Sequence, residues 1–198
     1  MTAPGVPVPV LAAAAQEVLQ VLRDAGVSAC LIGGLVVHRW AEPRATADVD
    51  LTVLAPYGEE GKVLDTLLGR FEARDEGARA FALQRRVLLL RTTTGASIDV
   101  ALAAFPFELE VLARASDWEM LPGITVRTCS AEDLILYKLV AARSRDLADV
   151  DGVVRRQGPR LDIARIREWS RAFAELKEDP DFARPFEDAL RKYSPPGS

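Results

Sequence analysis

Apolar and polar positions along the chain follow two periods, and the change from one to the other marks out the elements. Between Pro9 and Ala25, Leu11, Ala15, Val18, Leu22 and Ala25 recur at steps of three and four, which predicts an amphipathic helix stopped by Gly26. Ser28 to Ile32 (SACLI) reads as a short strand running into Gly33-Gly34, and LVVHRWA after it as a second short helix. From Arg44 to Leu54 (RATADVDLTVL), polar Thr46, Asp48, Asp50 and Thr52 alternate with apolar Ala47, Val49, Leu51 and Val53, the period of two that marks a strand. Helical spacing returns from Glu59 to Phe71 through Val63, Leu64, Leu67 and Leu68. Arg86 to Thr92 and Ala96 to Leu102 are two further strands, separated by a hairpin-length Thr93-Thr94-Gly95. A helix over Phe107 to Ala115 and a strand over Ile124 to Thr128 follow, with Pro122-Gly123 as the turn between them.

Beyond Ser130 the pattern is helical to the end. Ser130 stands at an N-cap position with Glu132 and Asp133 in the first turn, where acidic side chains favour the positive end of the helix dipole. Helices are predicted over Ala131 to Ala142, Asp146 to Arg156 and Asp162 to Leu176, the last capped by Asp162 with Ile166, Trp169, Phe173 and Leu176 inward. The final YSPPGS is expected to be disordered. The fold class expected is therefore α/β (α+β): a small mixed sheet in a core over residues 1–129, with a helical lobe over 130–198 packed on it.

Composition adds limits rather than detail. With 198 residues, 49% apolar and 27% charged, the chain can bury one good core or a core with an appendage. A net charge of -4 argues against a surface built throughout to embrace nucleic acid, although a local basic groove from Arg85, Arg86, Arg143, Arg145, Arg155 and Arg156 stays open. Cys30 and Cys129 each lie in an apolar stretch and read as small buried hydrophobes, and with His38 as the one histidine no four-ligand zinc set can be composed unless carboxylates contribute, so zinc is set aside. The N-terminal MTAPGVPVPVLAAAAQEV has no Lys or Arg ahead of its small residues and no sustained apolar core, so it does not read as a signal peptide. No run approaches the ~20 apolar residues of a membrane span, and the cytoplasm is the expected location.

The chemistry concentrates on the Arg44 to Leu54 strand. Residues two apart on a strand share a face, which puts Asp48 and Asp50 roughly 6.5–7 Å apart. Two carboxylates converging there repel unless a cation or an arginine sits between them; in the functional reading it is magnesium, a hard ion bound by carboxylates and substrate phosphates. Asp99, on the Ala96 to Leu102 strand, completes a three-carboxylate set for two such ions if the strands are neighbours. Asp99 then either bridges to an attacking hydroxyl or acts as its general base. Asp-x-Asp on a strand also serves as plain solvent-facing decoration, and a Gly-Gly pair as a tight turn; the grouping of these features favours the site. Backbone amides at Gly33 and Gly34 open a helix and can approach phosphates, and Arg44 and Thr46 are placed to bind phosphate at the same mouth.

The run IGGLVVHRWAEPRATADVDLTVL resembles the opening motif of the nucleotidyltransferase superfamily with the DNA polymerase β-like fold, and AEDLILYKLVAARSRDLADVDGV is similar to the C-terminal signature of AbiEii-type toxin nucleotidyltransferases. That resemblance implies a nucleoside triphosphate as substrate and two Mg2+ ions at Asp48, Asp50 and Asp99. It further implies nucleotide contacts from Gly33, Gly34 and Arg44 and from Lys138, with Asp146 and Arg143 lining a cleft between lobes. Read from its own helix, Lys138 also fits a snorkelling surface residue, and Asp146 a helix cap. The acceptor hydroxyl it implies belongs to a tRNA or other RNA, a protein or a small molecule, and the setting to a toxin–antitoxin system with an antitoxin partner. A non-catalytic nucleotide- or partner-binding member of the fold is the alternative. Gly33-Gly34 replaces the commoner Gly-Ser, which removes one phosphate-binding hydroxyl.

Overall fold

The computed structural model describes residues 6–193; the expected disorder of the tail falls, apart from Tyr193, outside them. The chain divides into two compact units, one holding the segment up to Leu35 and Ala45–Cys129, the other Val36–Arg44 and everything from Ser130. The boundary falls inside a helix rather than at a linker, because residues 36–44 are bonded into the second unit.

The first unit is built on a mixed sheet of seven strands: β1 (Ala29–Ile32), β2 (Asp48–Leu54), β3 (Glu72–Ala73), β4 (Val87–Arg91), β5 (Ser97–Ala103), β6 (Ser116–Leu121) and β7 (Ile124–Thr128), in the order β3-β4-β5-β2-β1-β7-β6. Two pairs, β2 with β5 and β1 with β7, are parallel, and the others are antiparallel. The period of two now shows as burial. Val49, Leu51 and Val53 of β2, Leu88 and Leu90 of β4, and Ile98, Val100 and Leu102 of β5 are buried, and each such side chain contributes ~1.5–3 kcal/mol when removed from water. Of the alternate positions, Asp48, Asp50, Val87, Leu89, Ser97, Asp99 and Ala101 are only half-covered, while Thr52, farther along β2, is buried. The sheet thus has one sealed face and one open face, and the acids are on the open one. Helix α1 (Val8–Asp24) lies against β1, β2 and β7 and against α3 (Glu60–Leu68), with Leu11, Ala15, Val18 and Leu22 buried as the three-four stripe requires.

Helix α2 (Gly33–Trp40) starts at Gly33, two residues before the predicted start. The predicted strand over residues 44–54 shortens to β2 for a physical reason: its partner β5 begins at Ser97, opposite Asp48, so residues 44–47 have no ladder to join. The unit also contains α4 (Ala78–Arg85) and α5 (Pro106–Arg114).

The second unit centres on α6 (Ala131–Ala141), buried along most of its circumference, with α7 (Ser144–Gln157), α8 (Ile163–Lys177) and α9 (Arg184–Tyr193) packed on it. The Ser130 hydroxyl accepts from the Asp133 N–H at 3.2 Å and the Asp162 carboxylate from the Arg165 N–H at 3.0 Å, so both predicted caps form, each a contribution of ~1 kcal/mol. Leu176, expected inward, is instead 77% exposed at the last turn of α8, while Ile166 is sealed. Among the described residues no helix is long and apolar enough to cross a membrane.

Candidate active site

The parallel pairing of β2 with β5 decides where the carboxylates go. Asp50 is the register partner of Asp99, and Asp48 that of Ser97. In-register side chains on adjacent strands share a face and start about 4.8 Å apart, so Asp50 and Asp99 stand side by side, with Asp48 one step along the same open face. Across β1, Asp50 is opposite Ile32, the residue before Gly33. That register brings the glycine turn onto the acid. Gly33 has φ +71°, and a Cβ there would lie 2.1 Å from Asp50 Oδ2, so the position excludes side chains on two grounds. The Gly34 N–H donates to the same Oδ2 at 3.3 Å. The second amide of α2 is thus spent on holding Asp50.

Asp99 has a cation of its own: Arg74 Nη2 donates to Oδ1 at 2.5 Å. Burial raises the Asp99 carboxyl above its ordinary range, Arg74 opposes this, and the charge of Asp48 pushes it up again, with a net rise. The Asp48 charge is therefore felt at Asp99. Among the described residues no set of three or more His, Cys, Asp or Glu side chains is gathered closely enough to hold a metal ion as they stand. The donor chemistry nevertheless fits a hard divalent cation: hard oxygen donors on one half-open face, two in register, with mutual repulsion that a cation relieves. Thr46, half-exposed, lies two residues ahead of Asp48 in the unpaired segment.

The remaining predicted residues assemble in the second unit. Lys138 is buried, its Nζ 2.9 Å from Asp146 Oδ1 and 2.8 Å from Asp149 Oδ2. Arg44 donates from Nε and Nη2 to the two oxygens of Asp149 at 2.6 and 2.7 Å, and Arg143 Nε donates to Asp146 Oδ2 at 2.6 Å. Three cations thus hold two carboxylates that are 1% and 4% exposed. Burial pushes both acids up, but the hydrogen bonds and charges of Arg143 and Lys138 on Asp146, and of Arg44 and Lys138 on Asp149, outweigh it and hold both below their ordinary values. Lys138 is accordingly an internal counter-ion, not a snorkelling surface residue, and Asp146 is neither a cap nor decoration.

The nucleotidyl transferase AbiEii toxin model (type IV toxin–antitoxin system) matches residues 21–194. The chain belongs to the AbiEii nucleotidyl transferase family. Among solved structures this AbiEii-family chain is similar to an antigenic nucleotidyltransferase-like protein from Paracoccidioides brasiliensis, at 14% identity and a TM-score of 0.52 over 91% of this chain and 92% of that one. It is also similar to the antibiotic-resistance factor ANT(2'')-Ia, at 16% identity and a TM-score of 0.56 over 84% of this chain and 95% of that one. These likenesses show a nucleotidyltransferase fold. Among curated proteins the sequence has no significant match.

Two residues of the AbiEii-family chain gain a role only from the structure. Arg74 follows the two-residue strand β3, which has no alternation to reveal it. Arg86, assigned above to a possible basic groove, is turned inward: it donates to Leu102 O, Glu60 and Ala55 O and stacks over Tyr57. Its left-handed backbone, φ 57°, was the only local anomaly, and a sequence does not display φ.

Proposed function

We propose that this chain transfers the nucleoside monophosphate group of a nucleoside triphosphate to an acceptor hydroxyl, with magnesium held by Asp48, Asp50 and Asp99. The observation that carries the reading is the parallel β2–β5 register, which pairs Asp50 with Asp99 and leaves Asp48 on the same open face. Magnesium bound there would neutralise and polarise the triphosphate. The residues of the chain supply the rest. Gly33 and the Gly34 N–H fix Asp50, and in this reading the hydroxyl of Thr46, two residues ahead of Asp48, donates to a phosphate oxygen. Asp99 takes the proton of the attacking hydroxyl as the new O–P bond forms and pyrophosphate leaves.

Arg44 and Lys138 serve in this reading as the cations of the Asp146–Asp149 network. The acceptor is a tRNA or other RNA, a protein or a small molecule, and the family model supports action as the toxin of a toxin–antitoxin pair. Calorimetry with each nucleoside triphosphate and magnesium tests the donor side. The wild type is expected to bind in a metal-dependent way that Asp48→Ala/Asp50→Ala abolishes. Labelled triphosphates incubated with total RNA, then with cell protein, identify the acceptor. Metal-independent binding that survives the double substitution would favour the non-catalytic reading, for which the Arg74–Asp99 pair is the specific support.

A further inference from the structure

A single row of residues runs from the sheet edge to its carboxylates. The Arg74 N–H donates to Leu89 O at 3.0 Å, continuing by one residue the ladder in which Ala73 faces Leu90. Leu89 is the register partner of Asp99, and Asp99 of Asp50. Arg74 thus begins two strands away from Asp99, about 10 Å at ~4.8 Å per strand. Its side chain crosses Leu89 to put Nη2 on Asp99 Oδ1 at 2.5 Å. With a backbone fixed to β4 and a side chain only 20% exposed, the arginine is held at both ends.

We infer that Arg74 is the built-in counter-ion of Asp99: it stands on Oδ1 and must yield that oxygen when a divalent cation loads, so that the pair sets the metal concentration at which the site fills. The inference rests on the reading of Asp99 as a metal ligand. An oxygen engaged in a short charge-assisted hydrogen bond has given a lone pair to its donor, and a guanidinium beside the carboxylate repels an incoming divalent cation. The opposite role, in which Arg74 merely holds Asp99 in a binding-ready rotamer, has the opposite sign. Removing an orienting arginine weakens metal binding, whereas removing a competing one tightens it.

Titration of the full chain with Mn2+ in the absence of nucleotide, followed by the electron paramagnetic resonance signal of the free ion, separates the two. Arg74→Ala and Arg74→Gln are expected to bind Mn2+ about three- to tenfold more tightly than wild type, Arg74→Lys to stay near wild type, and Arg74→Ala/Asp99→Asn to bind no better than Asp99→Asn. Mn2+ should correspondingly raise the Tm of Arg74→Ala more than that of wild type, since a ligand stabilises in proportion to its affinity. Unchanged or weaker binding in both Arg74→Ala and Arg74→Gln overturns the proposal while leaving the metal reading intact, as does a gain that persists in the Asp99→Asn background. If the wild type shows no Mn2+ binding that Asp48→Ala/Asp50→Ala removes, the metal reading fails and the counter-ion role with it.

Discussion

Gly33 shows how much a single missing Cβ can decide. An alanine there meets two separate penalties: a left-handed backbone, and a methyl 2.1 Å from Asp50 Oδ2 and 2.6 Å from Asp50 Cβ. Gly58 isolates the first, because its φ is +86° and a Cβ there meets nothing within 4 Å. Gly58→Ala is expected to cost about 1 kcal/mol in urea denaturation. Gly33→Ala should cost about 2–4 kcal/mol and also lose metal-dependent triphosphate binding, because Asp50 has to move. Equal costs for the two, with binding retained in both, would show that Asp50 relocates freely and that the glycine does not position it. The glycine pair was legible in the sequence, but its first duty was not. A residue without a side chain gives no sign of which backbone group it serves, and the partner acid lies sixteen residues on from Gly34. Lys138 was ambiguous for a related reason. A lone lysine in an apolar helix looks like a surface residue until Asp146, on the next helix, and Arg44, 105 residues from Asp149, are brought to one place.

At the level of elements, the segment from Val36 to Arg44 belongs to α7 as much as to its own helix. Gln157 donates to Trp40 O at 2.8 Å, Arg156 to Ala41 O at 2.5 Å, and His38 shares a 2.8 Å hydrogen bond with Arg44 O, while Arg44 itself clamps Asp149. Gly152 of α7 comes so near Ala41 that a Cβ there would be 3.4 Å from the alanine methyl. Asp149→Asn keeps the size of the side chain but removes the charge that holds both Arg44 and Lys138. Backbone amides in the last turn of α2, residues 37–41, are therefore expected to gain at least about tenfold more in deuterium exchange rate in that variant than amides in β2 and β5 do, as a local opening added to the global loss of stability requires. Equal protection in wild type and variant would mean that the carbonyl contacts to Arg156 and Gln157 suffice. Periodicity revealed α1, β5, β7 and α8 because each has one buried face, whereas β1 and α6, buried on more than one side, were legible as apolar runs, one ending at Gly33-Gly34 and the other opening at the Ser130 cap. It was silent on β3, two residues long, on β6, an edge strand with little buried, and on α4, whose sequence ARAFALQR buries only Ala78 and Ala82. The parallel partnership of β2 and β5, on which the candidate site depends, is a long-range choice that alternation along one strand cannot encode.

For the molecule as a whole, acid is the most informative perturbant, because the ionised groups of the second unit are biased in one direction. Asp146, Asp149 and Asp151 are held below their ordinary 3.8, in each case by cationic partners that outweigh burial, and Glu187 is held below 4.5 chiefly by hydrogen bonds from Arg167. A depressed carboxyl stabilises the fold fully while the unfolded chain is also ionised, that is, above about pH 5. As pH falls through 3.8 the unfolded chain takes up protons that the folded one still refuses, and the contribution is lost toward the lower folded values. Stability measured by urea denaturation should therefore be level from neutrality to about pH 5 and fall steeply below about pH 4. Asp149→Asn should be less stable at pH 7 by about 3–5 kcal/mol, the cost of leaving a buried cation with half its partners, and its acid limb should be shallower because one refusing carboxyl is gone. Arg143→Ala provides the contrast. Its side chain is 77% exposed, so at pH 7 it should cost less than about 1 kcal/mol although it touches the same network. If the acid limb of Asp149→Asn ran parallel to that of wild type, the buried network would not be what acid titrates. The loss would then have to be assigned to the exposed pairs around Asp151 and Glu187, where salt should weaken it, whereas screening reaches a buried lysine between two carboxylates far less.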